Sequence, residues 1–191
     1  KPSFSLLIFV GKSSSDQLDT TLKSALQQDH GIDELTVLIS RDSPPKTLEQ
    51  AQPIISTLWG IWMSSHGDEN EKVLMEQGVL AMEKGNLEHA EKLFGDIINQ
   101  NPTFTEAWNK RATVRYMMSK FKESRNDVFE VLQREPRHFG AISGLGMINL
   151  RLGDLNAALN AYKRLQRIFP ASPEARQYIP ILHEKLNLMD L

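Results

Sequence analysis

The chain has 191 residues, 40% of them apolar and 24% charged, a balance that suits a folded domain with room for an appendage. Its 22 Lys and Arg nearly offset its 24 Asp and Glu, leaving a formal net charge of −2, so no field of one sign marks the chain for nucleic acid. With no cysteine, disulfide frameworks, thiolate metal sites and cysteine nucleophiles are excluded, and the redox compartment stays open.

In chain order, the apolar run "FSLLIFV" over residues 4–10 falls far short of the roughly 20 residues that cross a bilayer, and no other run approaches that length, so a membrane partner is not expected. It follows a Lys, as the apolar part of a signal does, but no small-residue cleavage pattern is evident. The expectation is a soluble, intracellular protein of unknown compartment, with a truncated targeting segment left open. "SSDQLDTTLKSALQQ" predicts a short amphipathic helix with Ser14 or Ser15 as cap and Leu18, Leu22, Ala25 and Leu26 on one face. An alternative reads this helix between "SFSLLIFVG" and "ELTVLIS" as strand–helix–strand, which resembles the start of nucleotide-sugar glycosyltransferases. Against it, repeats begin too soon for such a domain, and no Asp-x-Asp metal motif follows. Residues 1–30 are therefore expected to be an extension, partly disordered or holding one short helix.

Residues 31–67 are expected to form an N-terminal helical cap. Their stretch "TLEQAQPIISTLWGIWM" presents Ile54, Ile55, Leu58, Trp59, Ile61 and Trp62, an apolar face broader than an exposed helix carries. Packing on the first repeat is the expected use of this face. The alternative is that Trp59 or Trp62 anchors a partner, because aromatic side chains dominate interfaces.

From residue 68 to residue 172 the chain repeats itself. Pro102, Pro136 and Pro170 are spaced 34 residues apart and divide the region into units over 71–104, 105–138 and 139–172. Each unit reads as two amphipathic helices, and each proline follows the second helix, which it cannot continue. In the first unit Ala90, Leu93, Phe94 and Ile97 give the i, i+3, i+4, i+7 stripe. Gly85 and Gly153 stand between the helices of their units, where a positive φ is wanted, and Ser119 replaces glycine in the second, predicting a less ideal turn. The final segment, 173–191, opens with Ser172 as N-cap and Pro173 at the first helical position, and Pro180 is expected to kink or split the helix.

These residues resemble the tetratricopeptide repeat family: the three prolines, Gly78, Ala112 and Gly146 in the first helices, Trp108, the small Ala90, Ser124 and Ala158 in the second helices, and the large Phe94 and Tyr162 four residues later. "EAWNKRATVRY" with "EPRHFGAISGLG" also looks like a bacterial-type group in which a Trp-bearing helical segment precedes the repeats. The resemblance implies an all-α fold, an α-solenoid of three helix–turn–helix repeats with N- and C-terminal capping helices. Gly146 then serves close helix packing. The spacing of Gly140, Gly144 and Gly146 is not a phosphate fingerprint, and no strand precedes it.

Chemistry has no candidate constellation. The five histidines lack metal spacing, no G-x-S-x-G elbow occurs, and Asp68, Glu69 and Glu71 suit a helix N-terminus. The basic residues Lys110, Arg111, Arg115, Lys120, Lys122 and Arg125 read as a solvated helix face. No enzyme, cofactor or metal is expected.

The family binds proteins through the concave surface lined by first helices. The resemblance carries that surface onto Met75, Val79, Met82, Asn109, Thr113, Tyr116, Met117, Ser143, Met147 and Leu150, with Lys72 and Gly140 in register. The family's best-known clamp for chaperone tails falls on Met75, Val79, Lys110, Gly140 and Gly144, of which only Lys110 is basic, so tail binding is disfavoured. A Met-rich groove suits an apolar peptide or amphipathic helix, this chain's own N-terminal segment included, although several of these methionines suit core packing equally. The expectation is a non-catalytic adaptor or assembly factor. The alternatives are self-association through exposed cap faces as a homo-oligomer, and an enzyme built on the N-terminal segment.

Overall fold

The computed structural model describes residues 47–64 and 68–189. The readings made for residues 1–46, the short helix and the strand–helix–strand among them, lie outside the described residues. The chain divides into two units, residues 1–53 and residues 54–191. Of the first unit only residues 47–53 are described, and they open the helix α1 (Leu48–Ser64), where Thr47 Oγ1 accepts from the Gln50 N–H at 3.3 Å.

The second unit holds the rest of α1 and seven further helices: α2 (Glu69–Glu83), α3 (Leu87–Gln100), α4 (Thr105–Met117), α5 (Phe121–Arg134), α6 (Phe139–Leu152), α7 (Leu155–Ile168) and α8 (Pro173–Met189). Within the repeats α2 pairs with α3, α4 with α5 and α6 with α7, each pair packs on the first helix of the next, and α2, α4 and α6 are successive neighbours. Every described regular element is helical, and together they form a three-repeat solenoid with one helix before it and one after.

Local chemistry sets the ends. Asp68 Oδ1 accepts from the Glu71 N–H at 2.9 Å while Glu71 Oε2 accepts from the Asp68 N–H at 3.1 Å, a reciprocal cap that opens α2. His138, Asp154 and Ser172 cap α6, α7 and α8 through the backbone N–H groups of Ala141, Ala157 and Ala175. The three turns within the repeats use left-handed residues at one register position, Gly85 at φ +75°, Ser119 at φ +60° and Gly153 at φ +79°. Pro180 does not split α8, which runs continuously through it. The packing of Ala175, Tyr178 and Leu182 with the core of the last repeat holds the helix together.

Close approach explains the small residues of the repeat. A Cβ on Gly78 would lie 2.6 Å from the Phe94 ring, and one on Gly146 would lie 2.6 Å from the Tyr162 ring. Ala90, Ser124 and Ala158 are fully buried, and the Ser124 hydroxyl is satisfied by the Ala112 carbonyl at 2.7 Å. The core divides into one cluster around Phe94, Ile97 and Phe104 and a second around Val131, Ile142, Tyr162 and Leu165.

Candidate functional site: the inner face

The first helices carry the expected groove, and their ten positions differ widely in exposure. Met75 is 2% exposed and belongs to the core cluster with Phe94 and Phe104, so it offers a ligand no surface. Val79 and Met82 are half-buried against the same cluster, and Tyr116 and Leu150 against the second. Asn109 is buried, and its amide donates to Glu106 Oε1 at 2.9 Å. Ser143 is half-buried and Thr113 is exposed. Of these positions Met117 is 49% and Met147 is 37% exposed, and Ile181 of α8, in register with Met147, is 42% exposed. Sequence reading missed Ile181, although the same 34-residue step that links Thr113 to Met147 reaches it.

Where α6 begins, two side chains of α1 are seated. Trp62 is 9% exposed and stacks on the His138 imidazole, with centroids 4.0 Å apart and planes 16° apart. Trp59 meets His138 and Phe139 edge-on at 5.4 and 5.5 Å, and the Lys110 ammonium stands 5.6 Å from its ring. Gly140 makes this seat, because a Cβ there would lie 2.8 Å from Trp59 Cη2. Packing of these tryptophans on the first repeat was the sequence expectation. Their ring contacts are instead with His138 and Phe139, where the second repeat gives way to the third and the missing Cβ of Gly140 lets an indole approach.

Beneath the rings lies a buried polar pair. His138 and Glu106 are both fully buried, and His138 Nε2 is 3.1 Å from Glu106 Oε2. Because Nδ1 accepts from the Ala141 N–H at 3.0 Å, the ring proton belongs on Nε2, which donates to the carboxylate. Lys110 Nζ adds a longer contact to Glu106 at 3.5 Å. The carboxylate is thus held from three sides, as a buried charge requires. Glu106 and His138 were not joined in the sequence reading. Their signal is a separation two short of one repeat, which brings the first turn of α4 beside the cap of α6.

The basic residues of α4 and α5 are not simply a solvated face, and that reading is corrected. Arg111 clasps Asp127 through two bonds of 3.0 and 2.8 Å, and Arg115 reaches Asp127 and Glu91 at 2.8 Å each. Lys120 reaches Glu91 at 2.6 Å. Burial acts to raise the Glu91 carboxyl, but hydrogen bonds and charge from Lys120 and Arg115 outweigh it and hold the group below its ordinary range. Among the described residues no group of three or more His, Cys, Asp or Glu is placed to hold a metal, and no helix is long and apolar enough to cross a membrane.

This repeat geometry has known counterparts. A tetratricopeptide repeat-containing protein of Rhizobium etli is 32% identical over 155 residues, which span 81% of this chain and 74% of that relative. The chain therefore belongs to the tetratricopeptide repeat family. No protein-family profile matches it. Among solved structures, the first such domain of Spaghetti, bound to an HSP90 peptide, is 21% identical with a TM-score of 0.60, covering 64% of this chain and 98% of its own. The Sgt2 domain from Aspergillus fumigatus is 17% identical with a TM-score of 0.61, covering 66% of this chain and 85% of its own. MamA is 18% identical with a TM-score of 0.60, covering 74% of this chain and 82% of its own. At these identities the structures establish the shared fold.

Proposed function

We propose that the protein is an interaction module, an adaptor or assembly factor that holds an apolar peptide or amphipathic helix on its inner face. One observation carries the reading. Met117, Met147 and Ile181 remain exposed on helices of the same array in which His138, Phe139 and Gly140 already take two indoles of α1. A surface that accepts Trp59 and Trp62 from one helix has the chemistry to accept apolar anchors from another. Methionine adds a pliable lining that tolerates different side chains.

Three of the solved counterparts are described with HSP90 or HSP70 peptides or as domains of proteins so described. A chaperone tail suits this chain poorly, because its acidic groups would need cations. Of the positions carried over from that clamp, Lys110 faces Glu106 and Trp59, and Gly140 lies under Trp59.

The test uses the full chain in a selection from a library of helical peptides. Peptides with apolar residues at i, i+3 or i+4 and i+7 should be recovered, and should bind at least roughly tenfold more weakly to the Met117→Asp/Met147→Asp variant, a difference of about 1.4 kcal/mol. Both side chains are exposed, so the variant should keep its helical circular dichroism. Unchanged binding by a folded variant would end the reading.

A further inference from the structure

The first helix of the array carries an apolar stripe that every later equivalent buries. Val73 and Leu80 of α2 are 43% and 49% exposed. In register one unit later, Ala107 and Val114 are both 0% exposed, where α4 packs on α3. Ala141 and Ile148 are 1% and 2% exposed where α6 packs on α5, and Ala175 and Leu182 are 0% and 1% exposed where α8 packs on α7. At its other described end the array meets water with a different surface. The side of α8 that a further second helix would cover carries Arg176, Pro180, His183, Glu184 and Asn187, all exposed. One end therefore turns a mostly polar side outward, while the other continues an interface that the molecule has already built three times.

The stripe also says what can cover it. Glu69, Val73, Gln77, Leu80 and Lys84 fall within an arc of about 80° at helical spacing, acidic at one end and basic at the other. Laid antiparallel against a copy of itself, the stripe sets Val73 against Leu80 and Glu69 against Lys84, twice over by symmetry. A two-fold contact requires this self-complementarity. We propose that the α2 stripe is the contact of a homodimer, formed antiparallel with α2 of a second copy. The register position of the stripe differs from that of Val79 and Met82, so each subunit keeps its inner face, and two linked grooves would bind a divalent partner with avidity. One helix pair covers little area, so the dimer is weak and forms as concentration rises.

Sedimentation equilibrium of the full chain from about 1 μM to about 1 mM reads the association. Leu80→Glu should weaken it at least roughly tenfold. Glu69→Lys alone should weaken it by setting Lys against Lys, and adding Lys84→Glu should restore it. All three positions are exposed, and unchanged helical circular dichroism checks each fold. Because the chain has no cysteine, Gln77→Cys gives a second readout near the two-fold axis. It should yield a disulfide-linked dimer under mild oxidation, whereas Asn187→Cys on α8 should not.

A chain that stays monomeric throughout overturns the proposal. So does a dimer indifferent to Leu80→Glu, which would sit on another face. Failure of the double charge exchange to rescue excludes the antiparallel register. A monomeric Gln77→Cys variant whose new thiol resists a thiol reagent would mean that the stripe is covered from within the chain, again overturning the proposal.

Discussion

The two junctions on either side of the second repeat are built from opposite materials. Between the first and second repeats, Glu91 of α3, Arg111 and Arg115 of α4 and Asp127 of α5 form a chain of ion pairs that Lys120 extends. Between the second and third, Glu106 and His138 are fully buried, and Trp59 and Trp62 lie over the imidazole. Part of the first junction stays near water, where charges are screened and adjustable. The second is built on two fully buried polar side chains, and each member depends on the geometry of the others. It is the second that holds a helix from outside the repeats, so the aromatic seat, rather than the charged one, is where the array takes apolar side chains from another element.

The strongest way to break the comparison is at His138. Replacing it with Ala removes the cap of α6 and the stacking partner of Trp62, and deprives a buried Glu106 of one of its donors. A loss of about 3 kcal/mol is expected. His138→Asn, which can still cap, should lose less. Urea unfolding of the three proteins measures both differences. If His138→Ala costs no more than an exposed cap, about 1 kcal/mol, the polar cluster is not what fixes this junction.

Gly140→Ala separates the docking of α1 from the integrity of the repeats. The added Cβ cannot remain 2.8 Å from Trp59 Cη2, so the indole must shift. Overpacking of this kind typically costs about 1–3 kcal/mol. The cost should fall on the seating of α1 and leave the repeats helical. Tryptophan emission should move to the red while far-ultraviolet circular dichroism stays constant. An unmoved emission maximum would show that the ring has room that the present geometry denies.

The contrast between these junctions also marks what the sequence could reveal. The repeat was legible because its signals are local and periodic: prolines at a fixed step, small residues where helices touch, and large ones four positions on. Gly146 could be placed because its partner Tyr162 lies in the same unit. The site was less legible. Gly140 owes its role to Trp59, 81 positions earlier, and no periodicity within either segment links them. Met75 illustrates the opposite difficulty. Its register matches the expected inner face, yet Phe104, at the end of the same unit, shares its cluster and it is buried. Exposure at a given register therefore changes from one repeat to the next, and the repeat pattern alone cannot report it.

At the charged junction, acid gives a smaller effect of known sign. The Glu91 carboxyl is held below its ordinary value of 4.5 in the folded protein, so the unfolded chain takes up its proton first as the pH falls. Its contribution is complete above that value and is lost progressively below it, through the lower folded value. For a pair this open to solvent the loss should be about 1 kcal/mol or less. Comparing unfolding of the wild type and Glu91→Gln across this range isolates it. The difference between them should shrink on acidification, and a constant difference would mean that the carboxylate's charge is not what the residue contributes.

The smallest change tests the backbone beside that same junction. Ser119 adopts φ +60° at the turn where Gly85 and Gly153 stand in the other repeats, and Lys120, which pairs with Glu91, follows directly. A residue with a Cβ is strained in this region, whereas glycine is not. Glycine also loses more freedom on folding, which offsets part of the relief. The balance for Ser119→Gly should be a gain of about 0.5 kcal/mol, seen as a higher midpoint at an unchanged denaturant slope. A loss instead would mean that the strained serine holds Lys120 against Glu91 more firmly than a relaxed turn can. In that case the pH dependence assigned to Glu91 should weaken in the same variant, tying backbone strain and ion network into one device. A gain with the pH dependence intact would show that the two are independent, and that the second turn differs from its neighbours only by the cost of a Cβ.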